Sequence, residues 1–164
     1  MTITIDVEAV EVLPDILHTL RLQKAAHLVE SATRWSLAAG VIPIPFLDAA
    51  TLASIQTKLL IDLSELYGVK MTKELASSVI SVLLGTLIPM GVAKLAIGST
   101  AKLLPGVGTL VGAVSMSAMG SVTTNVIGRV FVRHFENGGT LVRFSESNLK
   151  AEFRQEFMKQ RSKG

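Results

Sequence analysis

The chain contains no cysteine, one tryptophan and one tyrosine. The absence of cysteine excludes disulfide staples and thiolate metal centres, and it fits a reducing compartment. Aromatic residues make up only 5% of the sequence, so its interior has to be aliphatic and close-packed. Charge is also scarce. Asp, Glu, Lys and Arg together account for 18% of residues, where an ordinary soluble domain carries about a quarter. A net charge of +3 is too small to argue for a nucleic-acid partner, although it suits an anionic membrane surface. The opening Met1-Thr-Ile-Thr-Ile-Asp6 has neither the basic region nor the apolar region of a signal peptide. It predicts a chain that is not exported.

What the chain has instead is apolar sequence. Its 164 residues suit one domain with a real core, and mean hydropathy is +0.49. No charged residue occurs from Leu75 to Ala93, nor from Leu103 to Gly128. Lys94 and Lys102 lie between the blocks with Gly98, Ser99 and Thr100. Each block is close to the roughly 20 apolar residues that a membrane span needs. The pattern predicts a helical hairpin over 75–128 that lipid or other protein must cover. Gly85 and Pro89 interrupt its first arm, and Pro89 should kink it by clashing with the carbonyl of Gly85. Pro105 and Gly106 turn the chain. The second arm then carries Gly108, Gly112, Gly120 and Gly128. Each glycine costs a helix about 1 kcal/mol against alanine. Their number makes sense where backbones approach closely. These eight residues are the candidate membrane-contact or helix-packing positions.

The flanking sequence is helical too. Thr2 to Val7 alternates like a strand and, with residues 1–14, is expected to form an N-terminal arm. Helix 1 is expected from Asp15 to Ala39, with Pro14 beside its first turn. Pro43 and Pro45 break the chain, and Asp48 is the expected N-cap of helix 2. Leu52, Ile55, Leu59, Leu63 and Leu66 share one face of that helix, and Lys58 and Asp62 are spaced to pair. Tyr67-Gly68 should end it, and Thr72 should cap the next. The helical domain is expected over 15–141. Asn137-Gly138-Gly139 breaks the chain before a basic amphipathic helix within 142–164. There Leu149, Phe153 and Phe157 recur beside Lys150, Arg154, Lys159 and Arg161, which are candidate surface-binding residues. The fold class is all-α, a helical bundle around an apolar hairpin.

No catalytic pattern accompanies this fold. Gly106-Val-Gly108 lacks the Lys-Ser/Thr of a phosphate loop, and Val111 stands where a dinucleotide fingerprint needs glycine. His18, His27 and His134 do not share metal-ligand spacing. No Gly-x-Ser-x-Gly occurs, and Ser117 and Ser121 read as packing residues. The expectation is no enzyme, no cofactor and no metal.

Several landmarks fall in a familiar order: Val41-Ile-Pro-Ile-Pro-Phe-Leu-Asp48, Gln56, Leu66-Tyr-Gly68, Leu104-Pro105-Gly106, Gly108 and Gly128. Over about Gly40 to Leu141 the chain resembles the bacterial YcjF-like domain of unknown function. That resemblance implies a membrane-associated helical domain of the kind often fused to Era-like small GTPases. Any GTPase partner would here be a separate chain. The expected function is a membrane anchor or assembly platform on the cytoplasmic side of the bacterial inner membrane. The alternative is a cytoplasmic helical protein that hides the hairpin by homo-oligomerisation.

Overall fold

A computed structural model describes residues 7–39, 47–87, 107–139 and 146–162, with side chains described for all but the first residues of four helices. Among these residues the protein is all-α. Its helices are α1 (Val7–Ala39), α2 (Leu47–Leu66), α3 (Lys73–Gly85), α4 (Val107–Glu136) and α5 (Glu146–Arg161).

Local chemistry explains most of the boundaries. Gly68 has φ +68° and ends α2: its N–H donates to Glu65 O, and Val69 N–H donates to Ser64 O. This doubly bonded left-handed stop favours glycine, which has no Cβ to clash. The same device recurs at Gly138, with bonds from Gly138 to Phe135 O and from Gly139 to His134 O. Thr72 caps α3 by accepting from Leu75 N at 3.3 Å, and Glu74 sits favourably in the first turn. Lys58 and Asp62 pair along α2 at 2.6 Å. Two boundaries differ from expectation. α1 starts at Val7, eight residues before Asp15, so Pro14 lies inside the helix. A proline removes one i→i−4 bond there, but the helix continues on both sides. α2 starts at Leu47, which puts Asp48 within the helix rather than at its cap. The strand-like alternation of residues 2–6 lies outside the described residues.

Cross-helix contacts set the topology. His18 meets Glu136, Thr33 meets Asn125, and Ser36 meets Thr124, so α1 runs antiparallel to α4. Leu52 lies against Gly120 and Gln56 reaches Thr124, so α2 runs parallel to α4. Glu152 pairs with Arg133 and Gln160 with Asn125, so α5 is antiparallel to α4. α3 folds back on α2 after a short turn. α4 is therefore the central helix.

The core joins Leu59, Leu60 and Leu63 of α2 to Ala76, Val79, Ile80 and Leu83 of α3. It also takes Val126, Ile127, Val130 and Phe131 of α4, and Leu149, Phe153 and Phe157 of α5. The few aromatics are concentrated here: Phe131, Phe153 and Phe157 are fully buried. The described ends of the apolar hairpin, at 75–87 and 117–128, contribute core residues of a protein bundle, one of the two coverings expected for it, while Leu75 stays exposed. The C-terminal helix is likewise part of the bundle. Its apolar stripe fills the core, so its basic residues lie on a packed element.

The glycines of the hairpin divide by what surrounds them. A Cβ on Gly85 would meet nothing within 4 Å. One on Gly120 would come 2.8 Å from Leu52 Cδ2, the movable end of a side chain. One on Gly128 would come 2.5 Å from Val29 Cγ2 and 2.7 Å from Cγ1. Val29 is β-branched and stiff at χ1, so it cannot swing away. Gly85→Ala should raise the melting temperature, with up to about 1 kcal/mol gained. Gly120→Ala should be close to neutral, whereas Gly128→Ala should cost about 1–3 kcal/mol. Thermal melts of the three variants check this order. Val29→Ala should recover part of the Gly128→Ala loss.

Candidate functional site

The bundle has two ends. At one, which we call the Gly120 end, α3 finishes and α4 begins. The α2–α4 alignment (52 with 120, 56 with 124) sets Leu47 level with Ser115. The first two turns of α4 therefore run past the start of α2. Leu87, the last described residue after α3, is buried near the same end. α3 thus ends toward the end of the bundle at which α4 begins. Of the candidate residues, Pro89, Pro105 and Gly106 lie outside the described residues. Gly108 and Gly112 fall in the first turns of α4, whose side-chain surroundings are not described. Gly120 and Gly128 line helix contacts, and Gly85 ends α3 facing open space. These positions do not converge on one pocket. Among the described candidates, Gly120 marks a close approach of α4 to α2 and Gly128 a close approach of α4 to α1.

Just inside that end lies a buried polar array that spacing alone did not single out. Ser36 of α1, Gln56 of α2 and Thr124 of α4 are all buried. Ser36 Oγ and Thr124 Oγ1 are 2.7 Å apart, and Gln56 Nε2 donates to Thr124 Oγ1 at 3.2 Å. Beside it, Gln160 Nε2 donates to Asn125 Oδ1 at 3.1 Å, which links α5 to α4. Gln56 Oε1, Gln160 Oε1 and Ser117 Oγ are buried without a hydrogen bond. The available sequence signal was a hydroxyl at a core-facing position: Ser36 lies two turns after Val29 on the buried face of α1.

The opposite end, which we call the Glu136 end, carries charge. His18 Nε2 and Glu136 Oε2 are 2.7 Å apart, and the Arg21 guanidinium lies 5.7 Å from the Tyr67 ring centroid. The Tyr67 hydroxyl and Glu136 Oε1 are buried near neighbours, short of strict hydrogen-bond geometry. The Tyr67 hydroxyl holds Glu136 below the usual carboxylate range against the opposing effect of burial, with His18 and Arg21 adding to it. Burial first, and then Glu136, pushes the Tyr67 hydroxyl above its ordinary value. This cluster ties α1, α2 and α4 together. Among the described residues, no group of three or more His, Cys, Asp or Glu is placed to hold a metal ion.

On α5, Arg154, Lys159 and Arg161 are exposed and Lys150 is half-buried. At 3.6 residues per turn, Lys150, Arg154 and Arg161 share one flank and Lys159 lies on the other. The four basic residues therefore do not make a single stripe. Two acidic residues of the helix face α4: Glu152 meets Arg133 at 2.8 Å and Glu156 meets Arg129 at 3.7 Å.

The described residues thus form an all-α bundle with small-residue helix contacts and a buried polar seam. The family model for "Domain of unknown function (DUF697)" matches residues 7–163, and the chain belongs to that family. A curated relative from Magnetospirillum gryphiswaldense, magnetosome membrane protein 22, is 36% identical over 135 residues, covering 82% of this chain and 69% of the relative. No solved structure matches. Neither the family description nor the relative's name assigns a reaction.

Two expectations follow. Thr124→Val keeps the shape of the side chain but strands the Gln56 amide and the Ser36 hydroxyl. It should cost about 2 kcal/mol, measured by denaturant unfolding. At the other end, a carboxylate with a lowered folded pKa stabilises the protein above its ordinary value, and that stability is lost as pH falls toward the folded value. Tyr67→Phe removes the largest cause of the Glu136 shift. Between roughly pH 6 and pH 3 its melting temperature should therefore fall less than that of the native chain.

Proposed function

We propose that this chain is a non-enzymatic, membrane-associated helical protein, held at the bilayer by residues at the Gly120 end and presenting the rest of the bundle as an anchor or assembly platform. The observation that carries the reading is that α3 ends, and α4 begins, toward the same end of the bundle. The sequence joining them, with the first turns of α4, contains two lysines and no acidic residue from Ile88 to Met116. Lysines near the edge of such a stretch can place their ammonium groups at the headgroups while their stems stay in apolar surroundings. The relative's designation as a membrane protein supports the same reading.

The described residues narrow the mode of contact. Among them, no helix is long and apolar enough to cross a membrane. The buried residues Ile80, Leu83, Val126 and Ile127 belong to the bundle and stay in it. Lipid contact is assigned to the part of the hairpin that lies between these core segments. The resemblance to domains fused behind GTPases makes a separate Era-like GTPase the first client to test.

Replacing residues 88–106 with a Gly-Ser linker of equal length should abolish resistance of the membrane-bound protein to sodium carbonate extraction. Circular dichroism of the released variant should still show a folded helical protein. Unchanged retention in the membrane pellet would remove the assignment. Leu83→Lys should act differently. It buries an unpaired charge in the bundle core and should unfold the protein whether or not membrane is present.

A further inference from the structure

We infer that the bilayer surface crosses the bundle at the level of Trp35, where a collar of exposed cations from three helices receives anionic lipid headgroups. The inference rests on the membrane reading above, and adds the level of contact and the class of lipid. The helix alignments place each residue along the bundle axis. Ser36 of α1 lies beside Thr124, Gln56 of α2 reaches the same hydroxyl, and Gln160 of α5 reaches Asn125. Arg34, Lys58, Lys159 and Arg161 therefore fall within about one turn of one another, roughly 5 Å along the axis. All four are exposed, and so is Trp35, at 65%.

The signs of charge are ordered about this level. The nearest acids stand on its Glu136 side. Glu30 pairs with Arg34 and Asp62 with Lys58, and in both pairs the base is the member nearer the Gly120 end. Glu156, which meets Arg129, also lies on the Glu136 side of Lys159 and Arg161. Lys159 and Arg161 have no acidic partner among the described residues. Toward the Gly120 end charge disappears. Residues 35–39 of α1, 49–57 of α2 and 107–123 of α4 contain no Asp, Glu, Lys or Arg, and neither does the stretch 75–87 that ends α3. Among the described residues beyond the collar, Asp48 in the first turn of α2 is the single charged one.

This is the order of a bilayer boundary. Tryptophan collects at the membrane–water interface, where its ring meets apolar surroundings and its N–H stays wet. Leu37, also exposed, lies on the other flank of α1 and on the uncharged side of the collar. Lysine and arginine at such a boundary lay their stems along apolar surface and hold their charge among the headgroups. Each strengthens attachment to anionic lipid about fivefold. Lys159 and Arg161 thereby part from Lys150 and Arg154, which stand nearer the Glu136 end of α5. An acidic protein would answer the cations alone, and would leave the uncharged helix ends beyond them uncovered. A lipid surface answers both.

Trp35 is the chain's single tryptophan, so its fluorescence reports this position alone. The full-length protein is reconstituted into vesicles of phosphatidylcholine and phosphatidylglycerol in which one lipid carries bromines high or low on its acyl chains. Bromines near the headgroup should quench Trp35 about twofold more than bromines near the bilayer centre. At equal content, brominated phosphatidylglycerol should quench more than brominated phosphatidylcholine. Lys159→Gln together with Arg161→Gln should remove that preference. Lys70→Gln together with Lys73→Gln makes the same change in charge at exposed positions by the turn between α2 and α3, and should keep it. Circular dichroism should show equal helicity in both double variants. Stronger quenching from the bilayer centre overturns the collar, as does an unchanged preference in the first double variant or an equal loss in both. So does a protein that floats with the vesicles while Trp35 stays unquenched, the result expected if an acidic protein is the occupant; the membrane reading then stands. A chain that fails to float with these vesicles overturns the membrane reading itself, and the collar with it.

Discussion

How closely α1 can lie against α4 governs the rest of the bundle. At Gly128 the two helices leave no room for a Cβ, because Val29 already occupies its place. That approach brings Thr33 to Asn125 and Ser36 to Thr124, and it lets Gln56 reach the same hydroxyl from α2. With α1 held further away, the hydroxyls would stay buried and lose their partners, and each orphaned group would cost about 1–3 kcal/mol. The glycine and the polar seam therefore depend on each other. A chain this poor in charge holds its helices together through short contacts between small residues and hydroxyls.

The polar chemistry of the bundle is of two kinds. Ion pairs run over its surface, between α1 and α4 at His18 and Glu136, between α4 and α5, and within α1 and α2, where water weakens them to little net stability. Neutral hydroxyls and amides instead hold α1, α2 and α4 together from inside. The family description names no activity, and the relative's name is that of a membrane protein.

Much of this was legible in the sequence. The all-α class followed from helical spacing, and the ends of α2 and α4 followed from glycines placed where a left-handed turn was needed. The close-packing role of Gly120 and Gly128 followed from their cost inside a helix. Other features were obscured for physical reasons. Pro14 pointed to a helix start because one missing bond was weighed as a boundary, whereas a long helix tolerates the loss when it continues on both sides. Apolar blocks long enough for a membrane concealed two core segments, because lipid and protein interiors select the same residues. The polar seam escaped notice because serine and threonine are common on both buried and exposed faces.

The paired hydroxyls also act as a vernier. Sliding α1 by one turn along α4 would break the contacts of Ser36 and Thr33 together and drive Val29 away from the space beside Gly128. The two helices are therefore restricted to moving as one strut rather than shearing past each other. A tilt imposed on the first turns of α4 has to reappear at Glu136 and His18, roughly 24 Å further along the axis counted from Gly120. The bundle is built to carry displacement from one end to the other without absorbing it.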